Sequence, residues 1–244
     1  MERSSLRSGL LAVALLAAVP AFAVDVSSAP WKESIEASFV DATGNTRTTT
    51  TSGRETFSYA FDAATSLEIK GGGLNARSQG RTTAEQYDAG EEVRHKFDAR
   101  DYVFEKYRWD KDRFAGILGR QEFSTGLGRD LWKTQHDLLT GEAGPGYLNE
   151  ERIGDARVSV AMSRGCVKYE RDFTTTSKFG QDVEYLQNLA DGRDSRFNTM
   201  TALTTALSAH FSVKTSFAWR RSNQPPPGFG KNDDLTSFAV IAIF

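Results

Sequence analysis

The chain has 244 residues, a formal net charge of −2 and a single cysteine. This charge balance gives nucleic acid no electrostatic footprint, and the lone Cys166, which cannot form an intramolecular disulfide, is interpreted as a small apolar filler. Beyond residue 23 no apolar stretch approaches the roughly 18 residues of a membrane-spanning helix, so a helical membrane protein is excluded and any insertion must use strands.

The first 23 residues have the pattern of an export signal. Arg3 and Arg7 precede an apolar run at 10–19 that Pro20 ends, and a small-residue site follows at 21–23. We expect cleavage after Ala23, which leaves residues 24–244 as one domain. Because the removed segment carries two arginines and one glutamate, the net charge of that domain is −3.

From residue 31 onward, stretches of alternating apolar and polar residues are closed by clusters of Gly, Asn, Asp or Pro, as is typical of β-strands. Phe217 and Trp219, for example, alternate with Arg220. The pattern changes phase near Gly165, which predicts a bulge or a strand end there. The sequence predicts twelve strands, near residues 31–41, 46–60, 65–77, 82–97, 101–109, 113–125, 136–148, 155–169, 177–189, 195–207, 210–221 and 234–244.

The connections between these strands alternate in character. Those at 61–65, 97–101 and 207–210 are brief and are predicted to be periplasmic turns, whereas 149–155, 190–194 and 222–234 are polar and predicted to be external. An even strand count returns both ends of the domain to one side, and in lipid only closure pairs every backbone group. The sequence therefore predicts an all-β fold, a closed antiparallel up-and-down transmembrane β-barrel of about 12 strands in the bacterial outer membrane.

The polar faces of the strands carry full charges of both signs, which must meet either solvent or a hydrated lumen. The candidate lumen charges are Glu92, Arg94, Lys96, Glu142, Asp182, Glu184, Lys214 and Arg220. For Glu142 a structural ion pair is favoured over a gating role. Aromatic residues near strand ends predict two girdles at the membrane interfaces, formed by Trp31, Tyr59, Phe61, Tyr102, Tyr107, Trp109, Trp132, Tyr147 and Trp219.

The last predicted strand carries one apolar row, formed by Phe238, Val240, Ala242 and Phe244. A final aromatic residue after alternating apolar positions is typical of strands that the barrel-assembly machinery recognises. This machinery, periplasmic chaperones and outer-membrane lipid are therefore the expected partners. A soluble protein that happens to end in Phe is the alternative interpretation, and the oligomeric state is left open.

Several motifs resemble those of a family described as salt-induced outer-membrane proteins, which is catalogued as a domain of unknown function. They are Trp31-Lys32, Gly44-Asn45-Thr46, Thr82-Thr83-Ala84-Glu85-Gln86-Tyr87, Asp101-Tyr102-Val103-Phe104, Asp112-Arg113-Phe114, Glu142-Ala143-Gly144-Pro145-Gly146-Tyr147 and Pro226-Pro227-Gly228. The resemblance implies an outer-membrane barrel whose transcription in some bacteria responds to salt, with no assigned reaction or catalytic residue. The chain departs from the family pattern at Glu33 and Cys166.

No catalytic residue, metal site or cofactor is predicted. The three histidines, His95, His136 and His210, show neither the nucleophile and base of a hydrolase nor the spacing of metal ligands. Calcium at Asp110, Asp112, Asp233 and Asp234 is a weaker interpretation than solvated loop charge. The run Gly71-Gly72-Gly73 lacks the Lys of a phosphate loop and is interpreted as relief of crowding or strand bending.

The sequence is compatible with three functions. The charged lumen and the family resemblance favour an outer-membrane barrel that responds to salt or osmotic stress, either as a narrow porin-like channel or as a structural protein of the envelope. The second hypothesis is an outer-membrane hydrolase or lipid-modifying enzyme that would use one of the histidines. The third is a soluble periplasmic β-protein.

Overall fold

The structure is a computed structural model that describes residues 29–43 and 47–244, with the side chains at 40–43 and 47–48 excluded. The predicted export signal lies outside the described residues. No helix in the described part of the chain is long and apolar enough to cross a membrane. The strands are β1 (Trp31–Thr43), β2 (Arg47–Ala60), β3 (Thr65–Ser78), β4 (Arg81–Lys96), β5 (Asp101–Asp112), β6 (Ile117–Lys133), β7 (Asp137–Arg152), β8 (Val158–Asp172), β9 (Ser177–Asn188), β10 (Ser195–Ala206), β11 (Phe211–Ser222) and β12 (Asn232–Ile243).

Each strand pairs antiparallel with its neighbours in the chain, and β12 returns to pair with β1. At this seam Ser34 pairs with Ile243, and the backbone amide of Phe244 donates to the carbonyl of Glu33 at 2.9 Å. Registered pairs across the seam run from Ser34 with Ile243 to Ala37 with Val240, so the ring is closed at the terminal half of β12 and the first half of β1. The predicted closed barrel of about twelve antiparallel strands is confirmed.

The two ends of the barrel differ in their connections. One end, here called the terminal rim, carries residues 29–30, Phe244 and the turns at 61–64, 97–100, 134–136, 173–176 and 207–210. The other end, the loop rim, carries the turns at 79–80 and 113–116 and the loops at 153–157, 189–194 and 223–231. Short connections also occur at the loop rim, since Gln79 and Gly80 alone join β3 to β4 with positive φ.

Strand β6 is longer at its terminal-rim end than the sequence predicts, because it continues through Gly126 and Gly128 to Lys133. Both glycines lie inside the strand and face the interior of the barrel. A Cβ on Gly128 would meet the ring of Tyr102 at 2.2 Å, and one on Gly126 would meet the backbone of β7 at 2.2 Å. These glycines therefore allow close packing rather than chain reversal.

The predicted break near Gly165 is wrong. Strand β8 pairs without interruption with β7 and with β9. Val160 and Met162 share one face with Arg164, which is the interior face, so the apolar residues at this end of β8 point inward and no change of phase occurs.

Large apolar side chains cover much of the outward face, including Ile35, Phe39, Val103, Phe123, Leu127, Val167, Tyr185, Phe217, Phe238 and Val240. Carboxylates also occur there, since Glu55, Glu91 and Glu105 are exposed in register with outward residues. Of the predicted girdle residues, Trp31, Phe61, Tyr107, Trp132 and Tyr147 are exposed. Tyr102 is wrongly placed in a girdle, because it faces the interior and is 3% exposed.

Candidate functional site: the barrel interior

Side chains from strands that are not neighbours meet inside the barrel. Arg94 on β4 lies 2.8 Å from Glu142 on β7. Arg196 on β10 lies 3.0 Å from Glu150 on β7. Contacts of this kind skip two intervening strands and can only cross the interior, so the charged faces of the strands are turned inward.

Glu142 is the centre of one group of interior contacts. Its carboxylate accepts hydrogen bonds from Arg94 at 2.8 Å, from the Tyr102 hydroxyl at 2.9 Å and from Arg164 at 3.0 Å, and Lys168 lies 3.8 Å away. The Glu142 side chain is 1% exposed. A buried carboxylate is tolerated only when it is paired and hydrogen-bonded, and these partners meet that requirement.

Glu184 is the centre of a second group. It accepts from Arg164 at 2.7 Å and from the amide of Asn198 at 3.1 Å, while Lys106 and Arg108 reach it from β5 at 3.7 and 3.6 Å. Arg164 therefore joins the two carboxylates. Its guanidinium also lies over the ring of Phe104, 5.3 Å from the centroid, and its side chain has no exposed area.

A third group lies nearer the loop rim. Glu150, whose side chain is 1% exposed, accepts from Arg120 at 3.2 Å and pairs with Arg152 and Arg196. Arg120 pairs in turn with Asp110 at 2.8 Å. Leu148, Met162 and Leu186 form an apolar cluster inside the barrel. Together these groups fill the interior along β4 to β10, which we call the packed arc.

The rest of the interior wall, formed by β11, β12, β1, β2 and β3, is called the open arc. Among its described side chains only Ser212 and Ala239 are buried. Many interior positions hold small residues, such as Ser52, Ser216 and Ser237. The Lys70 side chain is 47% exposed, and Met200 on β10, the strand that borders this arc, is 40% exposed. Water-sized space therefore lies along this arc.

Two ion pairs of the open arc each bridge one intervening strand over a small residue. Lys214 on β11 lies 2.8 Å from Glu36 on β1, and Ala239 of β12 is in register with Lys214. Arg54 on β2 donates two hydrogen bonds to Asp88 on β4, at 2.7 and 2.8 Å, across Gly72. A Cβ on Gly72 would lie 3.1 Å from the Arg54 guanidinium, which explains part of the Gly71-Gly72-Gly73 run.

The loop at 223–231, called the mouth loop, spans the loop rim. It joins β11 to β12, yet the ring of Phe229 lies against Gly116 in the turn between β5 and β6, on the opposite side of the barrel. Gly116 has a φ of +80°, and a Cβ there would meet the Phe229 ring at 2.6 Å. The mouth loop therefore covers part of the opening.

Polar contacts fix the base of the mouth loop to the loop at 189–194. The amide of Gln224 donates to Asp191 at 3.1 Å, and the backbone amide of Asn223 donates to the carbonyl of Ser195 at 3.0 Å. Hydrogen bonds from the side chain and the backbone amide of Arg193, and then from Gln224, lower the pKa of Asp191 to about 2. Asp191 is therefore ionised at any physiological pH.

The structure places the predicted lumen charges in three different settings. Glu92, Arg94, Glu142 and Glu184 lie in the packed arc, where Glu92 pairs with Arg94 and faces Lys168 at 3.8 Å. Asp182, Lys214 and Arg220 are half-buried interior residues. Lys96 is exposed at the terminal rim.

Asp110 and Cys166 have surroundings that differ from those expected from the sequence. Asp110 is not a solvated loop charge, because it is 5% exposed and paired with Arg120. Cys166 is buried, but its registered neighbours are Glu142 and Glu184 rather than apolar residues. No cluster of potential metal ligands occurs in the part of the chain that the structure describes.

The three histidines are exposed and lie at separate places on the terminal rim. The ring of His95 is hydrogen-bonded to the Thr65 hydroxyl at 2.9 Å. His136 and His210 belong to two different turns.

Sequence reasoning missed most of the arginines that fill the packed arc, namely Arg108, Arg120, Arg152, Arg164 and Arg196. The signal was available, since each lies at a period-two position: Arg108 and Asp110 continue the phase of Lys106 along β5. The alternation identifies the interior face. It does not tell which interior charges meet across it.

The family described as "Protein of unknown function, DUF481" matches residues 35–244, so the chain belongs to this family. The chain is also 23% identical over 205 residues to the "Uncharacterized protein YdiY" of Escherichia coli (strain K12), with 84% of this chain and 79% of the relative covered.

Two solved outer-membrane barrels share the fold. A NanC porin structure superposes with a TM-score of 0.55 at 8% identity, covering 87% of this chain and 99% of that chain. The COG4313 outer membrane channel from Pseudomonas putida F1 gives a TM-score of 0.56 at 10% identity, covering 91% and 100%. The barrel therefore resembles those of outer-membrane proteins.

Proposed function

We propose that this member of the DUF481 family is an outer-membrane barrel that passes small polar solutes along the open arc. The observation that carries the proposal is the contrast in exposure within one interior, since the Lys70 side chain in the open arc is 47% exposed while Glu142, Glu150 and Arg164 in the packed arc are at most 1% exposed. A barrel of this strand number encloses limited space, and the filled half narrows it further. The passage is therefore a narrow one.

Conductance across a planar lipid bilayer tests this proposal. Refolded residues 24–244 should give small, discrete current steps in potassium chloride. Ser216→Phe, which adds a ring to the interior of the open arc, should reduce or abolish them. Thr215→Phe is the matched control, because Thr215 is the chain neighbour of Ser216 and its side chain points outward. Absence of current from the wild-type protein, or equal current from both variants, would refute conduction along this arc.

A structural role in the envelope is the second candidate function. It is favoured by the ion pairs that cross the packed arc and tie β4, β5, β7, β8, β9 and β10 together. In this case deletion of the gene weakens the envelope against osmotic shock, and Ser216→Phe restores resistance as well as the wild-type protein does. Loss of complementation by Ser216→Phe would instead support the channel.

Export and insertion complete the proposal. Residues 1–23 direct secretion, and the outward row Phe238, Val240, Ala242 and Phe244 on and after β12 is recognised by the assembly machinery. Cell fractionation should find the protein in the outer membrane, released by detergent and not by osmotic shock. Expression that rises with salt, as the family resemblance implies, is checked by transcript levels at increasing sodium chloride.

A further inference from the structure

The outward side of β6, β7, β8 and β9 carries a groove of about 710 Å³ near the terminal rim. Its floor is a row of registered residues in which Ala143 and Gly165 lie between Leu127 and Tyr185. Neighbouring strands are about 4.8 Å apart, so the two large residues form walls about 14 Å from each other. The small residues between them give the groove its depth.

Apolar side chains line most of this groove. Leu127, Leu131 and Val167 are exposed by 63%, 52% and 45%, and Gly141 and Ala143 add no bulk to the floor. The volume lies in the range of roughly 300–1,000 Å³ that is common for small-molecule sites. An open cleft of this kind on the outer wall of a membrane barrel would face hydrocarbon, so an acyl chain suits it.

One end of the groove is charged. Asp101 and Arg129 line it together, and the Arg129 Nε lies 3.5 Å from a carboxylate oxygen of Asp101. The Arg129 side chain is 61% exposed. Such an exposed and long ion pair contributes little to stability and leaves both groups able to bind another partner. β6 ends four residues further, at Lys133, so this pair lies about 13 Å or less from the strand end.

We propose that the groove binds one phospholipid with an ethanolamine headgroup. The acyl chains lie over Gly141, Ala143 and Gly165, Arg129 donates to the phosphate, and Asp101 accepts from the ammonium group. An adjacent carboxylate and guanidinium complement the two charges of this zwitterion, and a guanidinium is well suited to phosphate. A quaternary choline cannot donate a hydrogen bond to Asp101, and a glycerol headgroup offers it no cation.

The proposal rests on the placement of the barrel in a membrane and is independent of conduction. Native mass spectrometry of refolded residues 24–244 in detergent tests it, with phosphatidylethanolamine, phosphatidylglycerol and phosphatidylcholine supplied at equal concentration. The wild-type protein should retain one phosphatidylethanolamine more strongly than either other lipid. Equal retention of the three lipids would overturn the headgroup assignment.

Gly165→Leu separates the groove from general lipid contact. A Cβ at Gly165 meets no other atom within 4 Å, so the leucine enters the groove without displacing the protein. Gly71→Leu is the matched control on the outward face of β3, where the nearest atom to a Cβ is 4.0 Å away. Only Gly165→Leu should lose the retained lipid, and unchanged retention in this variant would overturn the site.

Two polar variants separate the roles of the charged pair. Arg129→Gln should lower retention of phosphatidylethanolamine about tenfold, the factor expected for loss of one charge-assisted hydrogen bond. Asp101→Asn should remove the preference for phosphatidylethanolamine over phosphatidylglycerol, while phosphatidylglycerol is still retained. A preference that survives Asp101→Asn would contradict the proposal. So would a dimer that Gly165→Leu abolishes, because a second copy would then be the occupant.

Discussion

The packed arc and the open arc share one strand pattern but differ in how their charges are satisfied. In the packed arc Arg164 joins Glu142 to Glu184, and both carboxylates receive donors from several strands. In the open arc Lys214 and Glu36 form a simple pair across one strand, with side chains 18% and 20% exposed. Ionic groups can thus close one part of a barrel while the same residue types leave another part hydrated.

The difference has an energetic basis. A charge that is fully removed from water must be compensated by several partners, and removal of one partner leaves the others buried and unpaired. A partly hydrated ion pair keeps access to water and contributes little. The two arcs should therefore respond very differently to the same substitution.

The largest effect is expected for Glu142→Ala. It leaves Arg94 and Arg164 short of a buried partner, so the free energy of unfolding should fall by about 3–5 kcal/mol. Glu36→Ala in the open arc should cost about 1 kcal/mol or less. Urea titration of the refolded proteins, followed by tryptophan fluorescence, measures both. Similar losses in the two variants would contradict the division into arcs.

An aromatic ring added to the interior should also destabilise the packed arc more than the open arc. Ser124 is 1% exposed in the packed arc, so Ser124→Phe overfills it and should destabilise the protein by about 1–3 kcal/mol. Ser216→Phe should destabilise the protein much less, because Ser216 is only half-buried in the open arc. Urea midpoints of the two variants give the comparison, and a large destabilisation by Ser216→Phe would show that the open arc is also filled.

A substitution in the mouth loop should have a smaller effect, and this effect should be on conduction rather than on stability. Phe229→Ala removes the ring that lies against Gly116 across the opening, so single-channel conductance should rise modestly. Phe114→Ala is a suitable control, since this exposed side chain belongs to the same turn as Gly116. An unchanged conductance in Phe229→Ala would place the narrowest point deeper in the barrel.

The smallest effect is expected from acid at the base of the mouth loop. The pKa of Asp191 is lowered from 3.8 to about 2 by Arg193 and Gln224. Its lowered pKa means that the contact is present above pH 3.8 and is lost as the pH falls through about 2. Hydrogen exchange at residues 223–231 should increase over that interval, and Asp191→Asn should show no such acid dependence.

Much of the fold follows from the sequence because strand periodicity and closure are local and geometric constraints. The outward rows, such as Phe238 and Val240, and the inward phase of Glu92 and Glu184 were assigned from alternation alone. The errors arose where one residue type serves two purposes. A glycine can end a strand or permit close packing, and an apolar residue can line either face of a strand; Gly126, Gly128, Val160 and Met162 all face the interior.

The residues alone determined that alternating strands form a closed ring with an oily exterior and a charged interior, since a period of two leaves each side chain only two directions. Only the tertiary structure decided that Arg94, Arg164 and Glu142 meet, that Tyr102 lies inside, and that Phe229 crosses the mouth. Those contacts join strands far apart in the ring. They depend on barrel width, strand tilt and side-chain length together, which no local pattern in the chain encodes.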